Sequence, residues 1–266
     1  YDDDAEIFAW MRQGAPEGRR CIEAQIMDLS DDVGYSVHDV EDAIALGRMD
    51  PALLRRPGEA GAVVEACRAE GLDVLPWNEA GELRARLALL HRELGGPWPS
   101  MDDDALLARA GLWLVPAVEA FAARERRFDL GRLDVGAALR ALLPWPEAAG
   151  LDDLAPERIE VPSGSRVRVS YIDERGEMLR RPVLAVRVQE CFGWADTPRV
   201  VDGRVPVLIH LLSPARRPVA VTDDLRSFWA GPYRQVRAEL RGRYPKHPWP
   251  EDPWTAPATR GTRRRG

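Results

Sequence analysis

The groups near the front of the chain best suited to chemistry are carboxylates: Asp28, Asp31, Asp32, Asp39 and Asp42, with Tyr35 and His38 among them. Asp31, Tyr35 and Asp39 are spaced four apart, so on a helix they form one line of side chains on successive turns. Stacked carboxylates repel unless a divalent cation or a cationic partner neutralises them, and a solvated acidic face is the other reading of the same spacing. His38 follows Asp31 by nearly two turns and does not complete a metal site. A second set is basic: Arg187, Arg199, Arg204, Arg216, Arg217, Arg226, Arg234, Arg237, Arg241, Arg243 and Lys246. These groups suit phosphate, and the neighbouring Phe192, Trp194, Tyr233, Tyr244 and His247 are candidate stacking platforms. Spacings of three and four put Arg234, Arg237 and Arg241 on one helical face.

The elements that must carry these groups follow from hydrophobic period. Ile22, Ile26, Leu29, Val33, Val37, Val40 and Ile44 recur at three and four, which predicts a helix over Cys21 to Leu46 under the acidic line. Further helices are expected from Glu59 to Arg68 and from Asn78 or Glu79 to Leu94, the latter with Leu83, Leu87 and Leu90 as its stripe. Others are expected from Asp103 to Ala110, Leu112 to Phe121 and Leu133 to Leu142, with a short segment over Ala148 to Leu154. Ser100 or Asp102 is the candidate cap. Trp77, Trp98, Trp113 and Trp145 adjoin Pro or Leu and read as core.

After Ala155-Pro156 the period changes. Arg158 to Val161, Val167 to Ile172, Val183 to Val188, Val205 to Leu212 and Pro218 to Thr222 have strand character, separated by Gly- and Pro-containing turns. His210 reads as a strand-buried or hydrogen-bonded histidine. A helix follows from Leu225 to Leu240, with Leu225, Phe228 and Trp229 on its apolar face. The expected class is α+β: a bundle of short helices, then a small antiparallel β module with a C-terminal helix. Such hairpins often close into a barrel, and an OB-like surface is one architecture that fits.

Charge is distributed unevenly. Residues 162–266 hold 20 Lys+Arg against 11 Asp+Glu, a net of +9, whereas residues 1–161 hold 17 against 32, a net of −15. Only the C-terminal part offers a favourable face to a polyanion. Three scattered cysteines suit a reducing compartment and exclude a Cys-based zinc knuckle. No run reaches the length of a membrane span, so a cytoplasmic protein without membrane contact is expected. A chain that opens on Tyr1 reads as a fragment or a processed product. No GxxxxGK[ST] and no DExH box occurs, so no phosphate-cradling loop and no catalytic residue is assigned.

Two blocks carry resemblances. EAQIMDLSDDVGYSVHDVED resembles the last metal-ligand helix of dGTPase-like deoxynucleoside triphosphate triphosphohydrolases of the HD-domain superfamily. The resemblance implies a divalent metal, Mn²⁺ or Mg²⁺, on Asp31, with Tyr35 and Asp39 near the nucleotide. The His and His-Asp ligands that the family places upstream have no counterpart here, so the chain as it stands is expected not to hydrolyse dNTPs. From about Glu70, GLDVLPWNEAGELRARLALLHRELGGPWPSMDDDALLARAGLWLVPAV, then VPSGSRVRVSY and RGRYPKHPWPEDP, resemble the C-terminal region of HrpB-type ATP-dependent RNA helicases of the DEAH-box group, over roughly residues 70–258. ATP and Mg²⁺ are implied for a complete helicase, in domains this sequence lacks. The expected organisation is 1–65 as a triphosphohydrolase-like helical piece, 70–155 as a helical accessory domain, 156–254 as a basic β-rich domain and 255–266 as a disordered basic tail. The reading is an accessory region that contacts single-stranded or structured RNA, or docks on helicase core domains. Arg187, Arg216, Arg217, Arg234, Arg237, Arg241, Arg243 and Lys246 are its candidate contacts, and the alternative is a triphosphohydrolase fragment.

Overall fold

The computed structural model describes residues 58–125, 127–143 and 147–261. The acidic line with Asp31, Tyr35 and Asp39, the helix over Cys21 to Leu46, Trp145 and the last five residues therefore lie outside the described residues. From Glu59 onward the chain makes one compact unit. Among the described residues no helix is long and apolar enough to cross a membrane.

The unit opens with α1 (Glu59–Glu70) and α2 (Ala80–Leu94). On α2 the expected stripe is buried: Leu83 is 5% exposed, and Leu87 and Leu90 are 0% exposed. Each such leucine contributes roughly 1.5–3 kcal/mol on transfer from water. Gly95 ends the helix at φ 71, a left-handed conformation that glycine adopts without steric cost, and its N–H closes on the carbonyl of His91. Asp102 caps α3 (Asp103–Ala108) by accepting from the Ala105 N–H at 2.8 Å. In α4 (Ala110–Ala122) Trp113 is 1% exposed and donates from Nε1 to the Leu106 carbonyl at 3.0 Å. Trp98 is likewise core, while Trp77 is half-buried against it. α5 (Val135–Arg140) is shorter than its apolar run because Asp134 already takes the capping position, accepting from the Ala137 N–H. α6 (Leu151–Leu154) leads into the sheet.

Seven strands follow: β1 (Arg158–Glu160), β2 (Arg166–Ile172), β3 (Met178–Arg187), β4 (Arg199–Val200), β5 (Val205–Pro206), β6 (Leu208–Leu212) and β7 (Pro218–Thr222). β4 and β5 pair with each other, and the rest form a five-stranded sheet in the order β1-β2-β3-β6-β7. The α+β class holds, with two corrections inside it. The sheet is open, with β1 and β7 at its edges, rather than an OB-like barrel. It is also mixed: β3 and β6 run parallel, Val183 opposite Leu208 through Arg187 opposite Leu212. A parallel pair needs a long crossover, and the chain from Val188 to Val207 supplies it, carrying a 3-10 turn and the β4–β5 pair instead of a helix.

Alternation along the strands sorts the two faces. Val169, Tyr171, Leu184, Val186, Ile209 and Leu211 are all at or below 2% exposure, and α2 packs on β2 and β3 over that side. His210 lies on the opposite face, half-buried between Ala185 and Val221. Helical layer and sheet share one hydrophobic cluster from Ala60 to Trp249. Arg86 ties the two. It is 2% exposed on α2, donates from Nε to the Ala155 carbonyl at 2.6 Å and from Nη1 to Glu157 at 3.0 Å, and pairs with Asp152. A guanidinium out of water is tolerable only with its donors satisfied in this way.

The expected single helix from Leu225 to Leu240 is two: α7 (Leu225–Ala230) and α8 (Tyr233–Arg243). Pro232 has no N–H to give the Phe228 carbonyl, so the helix stops and restarts there.

Candidate nucleic-acid interface

The basic residues of the C-terminal module are held by an aromatic corner. Phe192, Phe228, Trp229 and Tyr233 are each 3% exposed or less, with ring centroids 5.0 Å apart for Phe228–Trp229, 5.3 Å for Trp229–Tyr233 and 6.0 Å for Phe192–Tyr233. Their polar ends are taken up as well. Trp229 donates to the Trp194 carbonyl at 2.8 Å, Tyr233 O–H to the Pro250 carbonyl at 2.9 Å, and Trp249 to the Tyr244 carbonyl at 2.9 Å. Phe192 and Tyr233 are therefore packing and not stacking platforms, which corrects that part of the sequence reading. Phe228 and Trp229 form the apolar face as expected. The segment RGRYPKHPWPEDP thus has a structural reason for its aromatics: they latch the chain after α8 back onto the corner. Tyr244 is half-buried, edge-on to His247 at 6.3 Å.

The candidate basic residues divide into two groups. Arg187, at the end of β3, puts Nε 2.7 Å and Nη2 2.6 Å from Glu190 Oε1. Glu190 is 5% exposed; burial pushes its carboxyl up, and the Ser165, Arg187 and Ser163 donors together outweigh that and hold it below its usual range. Arg237 donates to the Trp249 carbonyl and to Glu251, both at 2.9 Å. These two guanidiniums are committed to holding the fold. Arg243 stands 3.7 Å from Glu239, with both side chains largely exposed.

Arg216, Arg217, Arg234, Arg241 and Lys246 are exposed, and none pairs with a carboxylate among the described residues. Arg234 and Arg241 are two turns apart on the open side of α8. Arg216 and Arg217 sit in the turn between β6 and β7, with Arg216 at φ 60. That turn is closed by Arg216 N–H on the Ser213 carbonyl at 2.8 Å and Arg217 N–H on Ser213 Oγ at 3.1 Å. It lies at the same sheet end as Arg187, whose register partner Leu212 leads into it. Burial first and then the Arg187 charge hold His247 below its usual range. Sequence spacing had grouped Arg234 with Arg237; it missed that tertiary contacts consume Arg237, because Glu251 and the Trp249 carbonyl are distant along the chain. No group of three or more His, Cys, Asp or Glu that could hold a metal occurs among the described residues.

The family model described as ATP-dependent helicase C-terminal matches residues 113–253. The ATP-dependent RNA helicase HrpB of Escherichia coli is 42% identical over 205 residues, 76% of this chain and 24% of that protein. A crystal structure of the E. coli DExH-box NTPase HrpB aligns with a TM-score of 0.66 at 42% identity, covering 77% of this chain and 25% of that one. A deoxyguanosinetriphosphate triphosphohydrolase-like protein of Streptomyces coelicolor is 34% identical over 255 residues, 91% of this chain and 56% of that protein. The chain thus spans about a quarter of the helicase and just over half of the triphosphohydrolase-like relative. With the family model covering more than half of its length, and a fold shared with the corresponding part of HrpB, this chain belongs to the HrpB-type helicase C-terminal family.

Proposed function

We propose that residues 70–254 form the accessory module of an ATP-dependent RNA helicase, with the helical stretch 70–155 and the basic stretch 156–254 as its two layers, and that its work is to hold an RNA strand. The observation that supports this most is the separation of roles among the arginines. Arg187 and Arg237 serve the fold, whereas Arg216 and Arg217 in the β6–β7 turn, Arg234 and Arg241 on α8 and Lys246 just after it are exposed. Exposed cations of this kind attract a phosphate backbone without reading sequence. Phe192 and Tyr233 are buried, so contact rests on phosphates more than on stacked bases, with the half-buried Trp194 and Tyr244 as the remaining platforms. ATP and Mg²⁺ belong to the core domains of the whole helicase. Removing the charges of Arg234, Arg241 and Lys246 together lowers affinity for labelled single-stranded RNA about tenfold or more without a change in thermal midpoint. Unchanged affinity in that variant contradicts the assignment and leaves docking on helicase core domains as the role of the module.

The Streptomyces relative supports a second reading for the front of the chain, in which Asp31 binds a divalent metal and Tyr35 and Asp39 approach a nucleotide. Manganese binding to the chain that is lost in Asp31→Ala tests it.

A further inference from the structure

A cleft of about 660 Å³ lies within the compact unit where the start of α2, the α5 helix, β1 and β2 meet. One of its walls is Trp77. The Arg84 guanidinium sits 4.6 Å from the ring centroid, and the indole N–H donates to the Leu72 carbonyl at 2.8 Å, so the ring is fixed in place as a wall. Four guanidiniums line the cleft itself: Arg86, committed to the Ala155 carbonyl, Asp152 and Glu157, and the exposed Arg140 on α5, Arg158 on β1 and Arg168 on β2.

Carboxylates line it too, but most are occupied. Glu157 is bonded to Arg86, Asp134 caps α5, and Glu82 Oε2 accepts the Tyr171 N–H at 2.8 Å. Arg168 has Glu82 only at 3.7 Å, and Arg158 gives one N–H to the Arg166 carbonyl at 3.2 Å, so each keeps donors for a ligand. Glu79 is exposed and has no hydrogen-bond partner among the described residues. The cleft therefore offers three guanidiniums that keep free donors, Arg168 among them beside its pairing with Glu82, one carboxylate and an indole wall. An inorganic anion would use only the first of these, and an apolar ligand only the last. A nucleoside phosphate uses all three: phosphate for the arginines, a flat base for Trp77, and a base N–H edge for Glu79. The volume is in the range of about 300–1,000 Å³ usual for small-ligand sites.

We propose that this cleft binds one nucleotide unit, either a free nucleotide or one residue of an RNA strand. The site is separate from the exposed arginines of α8 and the β6–β7 turn, and it stands without them. The test titrates the whole chain with nucleoside monophosphates, with a short single-stranded oligoribonucleotide and with inorganic phosphate. It compares an Arg158→Ala, Arg168→Ala variant with an Arg234→Ala, Arg241→Ala variant, each checked for an unchanged thermal midpoint. The cleft variant is expected to lose about tenfold or more in affinity for the monophosphate or the oligonucleotide, equivalent to about 1.4 kcal/mol or more. Loss with the monophosphate identifies a free-nucleotide site, and loss with the oligonucleotide alone identifies a strand site. If binding falls only in the Arg234, Arg241 variant, the cleft assignment is overturned while the RNA-holding role stands. Inorganic phosphate binding as tightly as the nucleotide also overturns it, since the aromatic wall then has no part.

Discussion

At the scale of single residues, Arg216 shows function and fold pulling apart. Its φ of 60 is a conformation in which a side chain is strained by about 1 kcal/mol and glycine is not. Arg216→Gly is therefore expected to leave stability unchanged or raise it by up to about 1 kcal/mol, since the greater freedom of glycine in the unfolded chain offsets part of the relief. The same substitution is expected to weaken RNA binding; denaturant midpoints and anisotropy on the same protein read both effects. Arg86 is the opposite case. Arg86→Met keeps the buried stem but leaves the Ala155 carbonyl without its donor, at a cost of about 1–3 kcal/mol in urea unfolding, while Asp152 and Glu157 remain hydrated. Acid sensitivity has two sources away from the open surface, beside the lowered surface carboxylates Asp102, Asp223, Asp224 and Asp252. Glu190 and His247 both bind protons less readily folded than unfolded, so each makes stability rise with pH. The contribution of His247 is complete above its ordinary value of 6.5 and is lost as pH falls through its lower folded value. That of Glu190 is complete above 4.5 and is lost below it in the same way. Unfolding midpoints from about pH 7 to about pH 3 should show the lower drop become smaller in Glu190→Gln.

At the scale of elements, Asp102 takes the cap that the sequence offered to it or to Ser100, whereas the Asp134 and Asp224 caps went unread. Asp224 accepts from the Ser227 N–H at 3.0 Å and starts α7, so Asp224→Ala is expected to cost about 1 kcal/mol by thermal or urea unfolding. A cost near zero would mean that the aromatic corner alone sets the helix. The stripe of α2, the strands β1, β2 and β7 and the α+β class were legible because hydrophobic period is a local signal, whereas β3 begins at Met178 rather than Val183, β4 went unread and the run Val205 to Leu212 divides into β5 and β6. Strand direction was not legible. Alternation in Met178–Arg187 and Leu208–Leu212 states which face is buried and is the same for either direction, so the parallel pairing was invisible, and with it the open sheet. The break between α7 and α8 was written in Gly231-Pro232, yet the apolar residues on both sides continue a helical spacing across it. Site residues follow the same division. The types and positions of the arginines are in the sequence, but whether a guanidinium is available depends on carboxylates and carbonyls that only folding brings near, as Arg187 with Glu190 and Arg237 with Glu251 demonstrate.

At the scale of the whole molecule, the acidic and basic halves of the sequence do not correspond to separate bodies within the described unit. Acidic side chains of the helical layer face basic ones of the sheet through Glu82 and Arg168, while Arg86 of the helical layer is bonded at the entrance to β1. Unpaired cations remain in the β6–β7 turn and on α8, as well as in the α2–α5–β1–β2 cleft, and the first two groups are the ones the RNA-holding role requires. The most direct measurement is the salt dependence of single-stranded RNA binding, followed by fluorescence anisotropy for the chain and for its Arg216→Ala, Arg217→Ala, Arg234→Ala, Arg241→Ala variant. The account predicts a linear fall of log affinity with log salt, with a slope of about −0.7 for each phosphate contacted, and a shallower slope in the variant. Equal slopes for the two proteins, or no binding at low salt, would contradict it.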